Sequence, residues 1–118
     1  MIKISLEESE CFDRLSILEI KEIECQNADV HIRLQQQIND LQEEINIGIG
    51  RDLAAKIYCS PEYTALYNAN FAIFNGVERA TRDAITAFRL NCLNVVRTEK
   101  KKELQKVFFG SNSVEVKL

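Results

Sequence analysis

The stretch 61–109 constrains the fold more than any other part of the chain, because it holds no proline after its first residue and one glycine, Gly76. Its apolar and small residues recur at alternating steps of three and four, with a second apolar row beside the first. The first row is Leu66, Ile73, Val77, Ala80, Ala84 and Ala87, and the second is Tyr67, Phe74, Phe88 and Val95. Such a broad stripe is typical of helices that pack against other helices. The sequence therefore predicts an all-α fold.

Length and charge narrow the class of protein. A chain of 118 residues predicts one domain over 1–118, large enough to bury a core without disulfides. The net charge of −3 disfavours nucleic-acid binding, because nucleic-acid-binding domains are usually basic. No run approaches the ~20 apolar residues of a membrane span, and the N-terminus turns acidic where a signal peptide needs an apolar run. We expect a cytoplasmic protein that does not enter a membrane.

Cysteine and histidine usage gives no indication of a metal or cofactor. Cys11, Cys25, Cys59 and Cys92 lie far apart and form no CxxC pair. We interpret them as small core residues in a reducing compartment, with a disulfide framework as the less favoured alternative. His31 is the only histidine and has no companions at ligand spacing. The glycine and serine motifs of nucleotide-binding proteins and hydrolases do not occur, so we predict no metal and no cofactor.

Capping and stop signals divide the chain into about four helices, which we expect to form an antiparallel bundle. Ser5, with an acid three residues later, begins a capping-box pattern, and Ser60 before Pro61 is a second helix start. Gly48 and Gly50 offer C-terminal capping positions. The predicted helices cover about 6–26, 30–47, 61–82 and the following residues to 109, with two further turns over 52–58.

The boundary between the last two helices is open. Residues 81–83 contain neither glycine nor proline, so one bent helix is an alternative to two separate ones. A single helix over 61–109 would be about 73 Å long at ~1.5 Å per residue, which is too long for a compact domain of this size. We therefore favour a break near 81–83.

Both ends of the chain show the alternation of a strand. Ile2, Ile4 and Leu6 alternate with polar residues, and Val114 and Val116 do the same near the C-terminus. We predict that these short extended segments, 2–5 and 113–118, pair as a two-stranded ribbon across the ends of the bundle. An isolated pair of strands is stable only when it packs on other elements.

The apolar arc of the first predicted helix encloses two polar residues, Ser16 and Glu19. A carboxylate in that position would be largely buried, and burying it without a partner costs several kcal/mol. We therefore predict that Glu19 has a cationic partner or one that donates several hydrogen bonds. Arg97 is the best candidate, because its guanidinium pairs with a carboxylate through two hydrogen bonds.

Several other polar residues occupy apolar faces of the predicted helices, and antiparallel packing would bring them together. The predicted buried polar cluster consists of Glu19, Asn70, Asn94, Arg97 and Lys101. It is either a structural network that fixes helix register or a site for a small anion or metabolite, and we favour the structural interpretation. The basic residues over 97–106 are either a solvated helix face or a phosphate contact.

The chain resembles a family of short all-helical bacterial and phage proteins of unknown function. The resemblance rests on Phe12-Asp13-Arg14-Leu15-Ser16-Ile17-Leu18-Glu19-Ile20-Lys21, on Asn70 with Phe74, on Asn94, Arg97 and Lys101, and on Gly110-Ser111 with Val114-Glu115-Val116-Lys117. The chain departs from that pattern over 78–88, where family members carry a longer loop. The resemblance implies an all-helical fold and an association with glycosyltransferase and surface-polysaccharide genes. It also draws attention to the residues of the predicted polar cluster.

Two functional hypotheses follow. The first is a non-catalytic helical interaction protein with a protein partner or a second copy of itself, accessory to surface-glycan assembly. The alternative is a small helical enzyme or metabolite-binding protein with a polar site at Glu19 and Arg97. Nucleic-acid binding through 97–106 is a third and less favoured possibility.

Overall fold

The chain is all-α in the computed structural model, which describes residues 7–80 and 84–110, with 77–80 and 84–87 described by their backbone alone. The helices of these residues are α1 (Glu8–Glu24), α2 (Ala28–Ile49), α3 (Arg51–Tyr58), α4 (Pro61–Ala80) and α5 (Ala84–Phe109). The predicted fold class is confirmed. The described residues hold five helices rather than about four, because the two turns expected over 52–58 form a helix of their own.

Local signals set most helix ends. The side-chain oxygen of Asn27 accepts a hydrogen bond from Val30 N at 3.1 Å and caps α2. The end of α2 predicted at Ile47 was wrong by two residues, since the helix continues through Gly48. It ends at Gly50, whose φ of +90° is a conformation that favours glycine.

The start of α4 agrees with the prediction. The Ser60 hydroxyl accepts from Tyr63 N at 3.1 Å and donates to the Ile57 carbonyl at 2.6 Å. Proline at the first helical position has no N–H to leave unsatisfied. The serine therefore joins the end of α3 to the start of α4 and fixes the turn between them.

The start of α1 differs from the prediction, since the helix begins at Glu8 rather than near Leu6. Glu7 occupies the N-cap position without a side-chain capping bond. A side chain from the other end of the molecule satisfies one of the first N–H groups: Gln105 Oε1 accepts from Ser9 N at 2.9 Å. The capping serine predicted at position 5 lies outside the described residues.

One apolar core joins all five helices, and α1 lies at its centre. Its buried members are Phe12, Leu15, Ile38, Ile45, Ala54, Ile57, Tyr63, Leu66 and Leu104. Helix α1 packs against α2, α4 and α5. Apolar residues over more than half of its circumference suit α1 to this central position, although Ile23 is 67% exposed.

The predicted stripe over 61–109 folds back on itself as two packed helices. α4 and α5 form the most extensive helix pair and run antiparallel, with Gly76 facing Leu90 and Leu93. A Cβ added at Gly76 would lie 2.7 Å from Leu90 Cδ2, so the Leu90 side chain packs directly on the glycine. The predicted break at 81–83 and the predicted terminal ribbon both lie outside the described residues.

Candidate functional site

A buried carboxylate, Asp13, organises the polar network between α1, α4 and α5. Its side chain is 2% exposed and Arg97 from α5 engages both of its oxygens. Arg97 Nε donates to Oδ1 at 3.0 Å and Nη2 donates to Oδ2. From α4, Asn70 Nδ2 donates to the same Oδ1 at 2.9 Å. Asp13 therefore receives donors from two other helices.

Ser16, one turn after Asp13, closes the network. Its hydroxyl donates to the Asp13 carbonyl at 2.7 Å and accepts from Asn70 Nδ2 at 2.8 Å. Ser16 is fully buried, and Asn70 is 4% exposed. Each of these side chains thus makes hydrogen bonds where water has little access, as buried polar groups require. The arrangement fixes the register of three helices.

The electrostatics of Asp13 follow from these contacts. Burial alone would raise its pKa, but the hydrogen bonds from Arg97 and Asn70 outweigh it and hold the pKa below its usual range. The bond to Asp13 also raises the pKa of Arg97. Asp13 is therefore ionised, and the positive charge of Arg97 balances its negative charge. A carboxylate held in this way is poorly suited to proton transfer near neutral pH.

Polar contacts continue along α1 and α5 beyond Asp13. Lys101 Nζ lies 2.5 Å from Glu10 Oε1, and Gln105 Nε2 donates to Glu8 Oε1 at 3.0 Å. With the Asp13–Arg97 pair these contacts form a ladder in which residue numbers rise on one helix as they fall on the other. The ladder shows that α1 and α5 are antiparallel.

Glu19 does not meet Arg97, so the predicted pairing was wrong. Its carboxylate accepts instead from two hydroxyls, Tyr63 at 2.5 Å on Oε1 and Tyr58 on Oε2. Glu19 lies about one and a half turns beyond Asp13 on α1, and at that level the neighbours are α3 and α4. The buried acid of α1 that pairs with a base from the far end of the chain is Asp13, and not the predicted Glu19.

The surroundings of Glu19 hold its pKa above the ordinary value of a glutamate. Burial raises the pKa of Glu19 and the nearby charge of Glu22 adds to this, although the hydrogen bond from Tyr63 opposes it. Burial and the Glu19 carboxylate together raise the pKa of Tyr63. A cavity of about 340 Å³ opens beside these groups and is also lined by Tyr58 and Tyr67.

The structure divides the predicted cluster into separate parts. Asn70 and Arg97 meet at Asp13, Lys101 pairs with Glu10, and Glu19 lies with the tyrosines. Asn94 is exposed, which corrects its predicted burial.

Sequence reasoning missed Asp13 and Tyr63, the residues to which Arg97 and Glu19 bind. A signal for Asp13 existed in the sequence: it stands four residues before Ile17 and seven before Ile20, which places it on the apolar face of the helix. Tyr63 carried no comparable signal, because nothing local to the start of α4 places its hydroxyl beside α1.

The remaining candidates give no catalytic or metal constellation. All four cysteines are free, and Cys59 and Cys92 are exposed, so their predicted core positions were wrong. His31 Nε2 lies 3.8 Å from Glu22 Oε2 and is 39% exposed. In the described parts of the chain, no group of three or more histidine, cysteine, aspartate or glutamate side chains is placed to hold a metal.

Comparison with known proteins adds no relative: no protein-family model matches the chain, and no curated protein or solved structure is similar to it. Among residues 7–80 and 84–110, no helix combines the length and apolar character needed to cross a bilayer.

Proposed function

We propose that this protein is a non-catalytic helical interaction protein that pairs with a second copy of itself through α5. The observation that supports this proposal is a row of exposed apolar side chains on the outer face of α5. Phe88 is 69% exposed and Val95 58% exposed, and Val96 and the exposed Cys92 lie beside them. Spacings of four and seven residues place Phe88, Cys92 and Val95 on one face. We call these four residues the α5 row.

The α5 row leaves α5 apolar on both sides. Its inner face carries Leu104, which is fully buried, and Leu90 and Leu93, which pack near Gly76 of α4. A helix with apolar residues around most of its circumference is normally covered on most sides. The predicted packing of Phe88 and Val95 inside the molecule was wrong. A partner surface would cover them.

Charge favours a second copy as that partner. Arg89 precedes the middle of the α5 row and Glu99 follows it, and both are exposed. Within residues 7–80 and 84–110, neither forms an ion pair. In an antiparallel pairing centred between Cys92 and Val95, Arg89 of one copy is level with Glu99 of the other. Two-fold pairing of this kind is the commonest form of homo-oligomer.

The polar network supports a non-catalytic role. Arg97 is engaged by Asp13, so the metabolite or anion site hypothesised at Glu19 and Arg97 loses its cation. The buried acid, amide and hydroxyl bond one another and leave no free acid–base pair there. An accessory role in surface-glycan assembly rests on the sequence resemblance alone.

Sedimentation equilibrium of the full chain tests the pairing. We expect a reversible dimer for the unsubstituted protein, and the double variant Phe88→Glu/Val95→Glu should weaken association at least about hundredfold, because four charges would be buried in the interface. The matched control is Ile47→Glu, an equally drastic change at an apolar side chain of α2 that is 78% exposed. It should leave the dimer intact.

The thiols provide a second measurement on the same sample. Cys92 lies in the α5 row and Cys59 lies after α3, and both are exposed in the single chain. Alkylation of Cys92 should slow as protein concentration rises, while Cys59 should react at a constant rate. A chain that stays monomeric at high concentration, with Cys92 reactivity independent of concentration, would refute the pairing.

A further inference from the structure

The cavity beside Glu19 combines carboxylates with aromatic rings. Glu19 and Glu22 line it from α1, Tyr58 from α3, and Tyr63 and Tyr67 from α4. The sequence contains three tyrosines, and all of them lie around this one cavity. Its volume of about 340 Å³ falls within the range of small-ligand sites, about 300–1,000 Å³.

Among the residues that the structure describes, no permanent cation neutralises the negative charge of the cavity. In the part that the structure describes, no lysine or arginine lies within ion-pair distance of Glu19. The two groups that donate to it, Tyr58 and Tyr63, are neutral hydroxyls. Glu22 has His31 at 3.8 Å, which counts as a cation only when protonated. The cavity therefore attracts positive charge.

We propose that this cavity binds an organic ammonium group. Tyrosine rings attract ammonium groups at their faces, and aromatic cages that hold quaternary ammonium groups work in this way. The Tyr58 and Tyr63 rings lie 5.0 Å apart between centroids with planes at 35°, so they pack against each other at one side of the cavity. Tyr67 follows Tyr63 by one helical turn and adds a third ring.

The carboxylate supplies the counter-charge. A carboxylate has about four sites for accepting hydrogen bonds, and the two tyrosine hydroxyls occupy one on each oxygen of Glu19. Two sites remain for a ligand N–H. Thr64 adds a hydroxyl to the lining. The site lies on α1, α3 and α4, so it does not depend on the proposed pairing through α5.

Intrinsic fluorescence tests the proposal on the full chain. The protein has no tryptophan, so its emission comes from the three tyrosines around the cavity. Choline chloride should change this emission in a saturable way at constant ionic strength, while sodium chloride should not. The absence of a saturable response to choline and to the two primary amines below would overturn the proposal.

Three variants separate the contributions of the Glu19 carboxylate and the Tyr67 ring to choline binding. Circular dichroism confirms that each variant folds. Glu19→Gln should weaken choline binding at least about tenfold, since it removes the counter-charge. Tyr67→Leu should weaken binding severalfold, and Tyr67→Phe should preserve it because the ring remains. The matched control Glu44→Gln changes an exposed acid of α2 outside the cavity and should bind as the unsubstituted protein does. Equal affinity of Glu19→Gln and the unsubstituted protein would also overturn the proposal.

Two primary amines identify the source of the ammonium group. Butylammonium represents a free amine, and Nα-acetyl-lysine methylamide represents a lysine side chain of a polypeptide. Tighter binding of the lysine derivative assigns the cavity to a partner protein's lysine, and equal binding assigns it to a free amine. Either result supports an ammonium site.

Discussion

At the scale of single residues, Asp13 and Glu19 are two acids of one helix with opposite electrostatic surroundings. Asp13 contributes stability above its unfolded-state pKa of about 3.9, and this contribution is lost as the pH falls through its lower folded-state pKa. The pKa of Glu19 is raised on folding, so its ionisation lowers stability as the pH rises above about 4.3. The guanidinium donors of Arg97 lower the pKa of Asp13, whereas burial without a cation raises the pKa of Glu19.

We expect Arg97→Gln to leave a buried charge on Asp13 and to lower the free energy of unfolding at pH 7. The cost should lie near the lower end of about 3–5 kcal/mol, because the Arg97 side chain retains 30% exposure. The difference from the unsubstituted protein should shrink as the pH falls, because the buried Asp13 carboxyl becomes protonated at a higher pH when the guanidinium is absent. Urea unfolding at several pH values measures both effects.

The double variant Asp13→Asn/Arg97→Gln is the control for this prediction. It removes the charge together with its partner, and Asn70 can still hydrogen-bond to the new amide. Its stability should exceed that of Arg97→Gln at pH 7. Equal or lower stability of the double variant would show that the buried charge is not what makes the single substitution costly.

At the scale of elements, close contact between α4 and α5 explains the one glycine of α4. Gly76 lies within the helix, and a methyl group there would meet the Leu90 side chain. Glycine in a helix interior costs about 1 kcal/mol relative to alanine. The close approach of the two helices, which buries their facing side chains, offsets this cost.

Gly76→Val should destabilise the protein by about 1–3 kcal/mol through overpacking against Leu90. The control is Gly48→Ala in α2, where a helical glycine has nothing within 4 Å of an added Cβ. This change should raise stability by up to about 1 kcal/mol, because alanine has the higher helix propensity. Urea unfolding compares the two. Stabilisation by Gly76→Val would contradict the close approach.

At the scale of the whole molecule, the helices differ in how deeply they enter the core. Six residues of α1 are buried over its 17 positions. Three of 22 are buried in α2: Leu34, Ile38 and Ile45. The main contacts of α2 are with α1 and α3. Helix α2 is therefore held less firmly than α1.

Amide hydrogen exchange should reveal this difference. We expect amides of α2 to exchange at least about tenfold faster than those of α1, since few buried contacts are lost when α2 opens locally. Peptides covering the first turns of α2, before Leu34, should exchange fastest. Mass spectrometry of the native protein after deuterium labelling measures this order. Equal protection of α1 and α2 would indicate that the molecule opens only as one unit.

Local chemistry in the sequence determined where the helices lie. Ser60 with Pro61 begins α4, and Asn27 caps α2. The breadth of the apolar arc placed α1 at the centre of the core. These features were predictable because each depends on residues within one or two turns of one another.

The tertiary structure alone decided which groups meet. Arg97 had two acids of α1 available to it, and the axial position of α5 along α1 brings it to Asp13 and leaves Glu19 to the tyrosines. The rotation of α5 about its own axis likewise turns Phe88 and Val95 outward. Register and rotation depend on the packing of side chains far apart in sequence, and helical periodicity fixes neither of them.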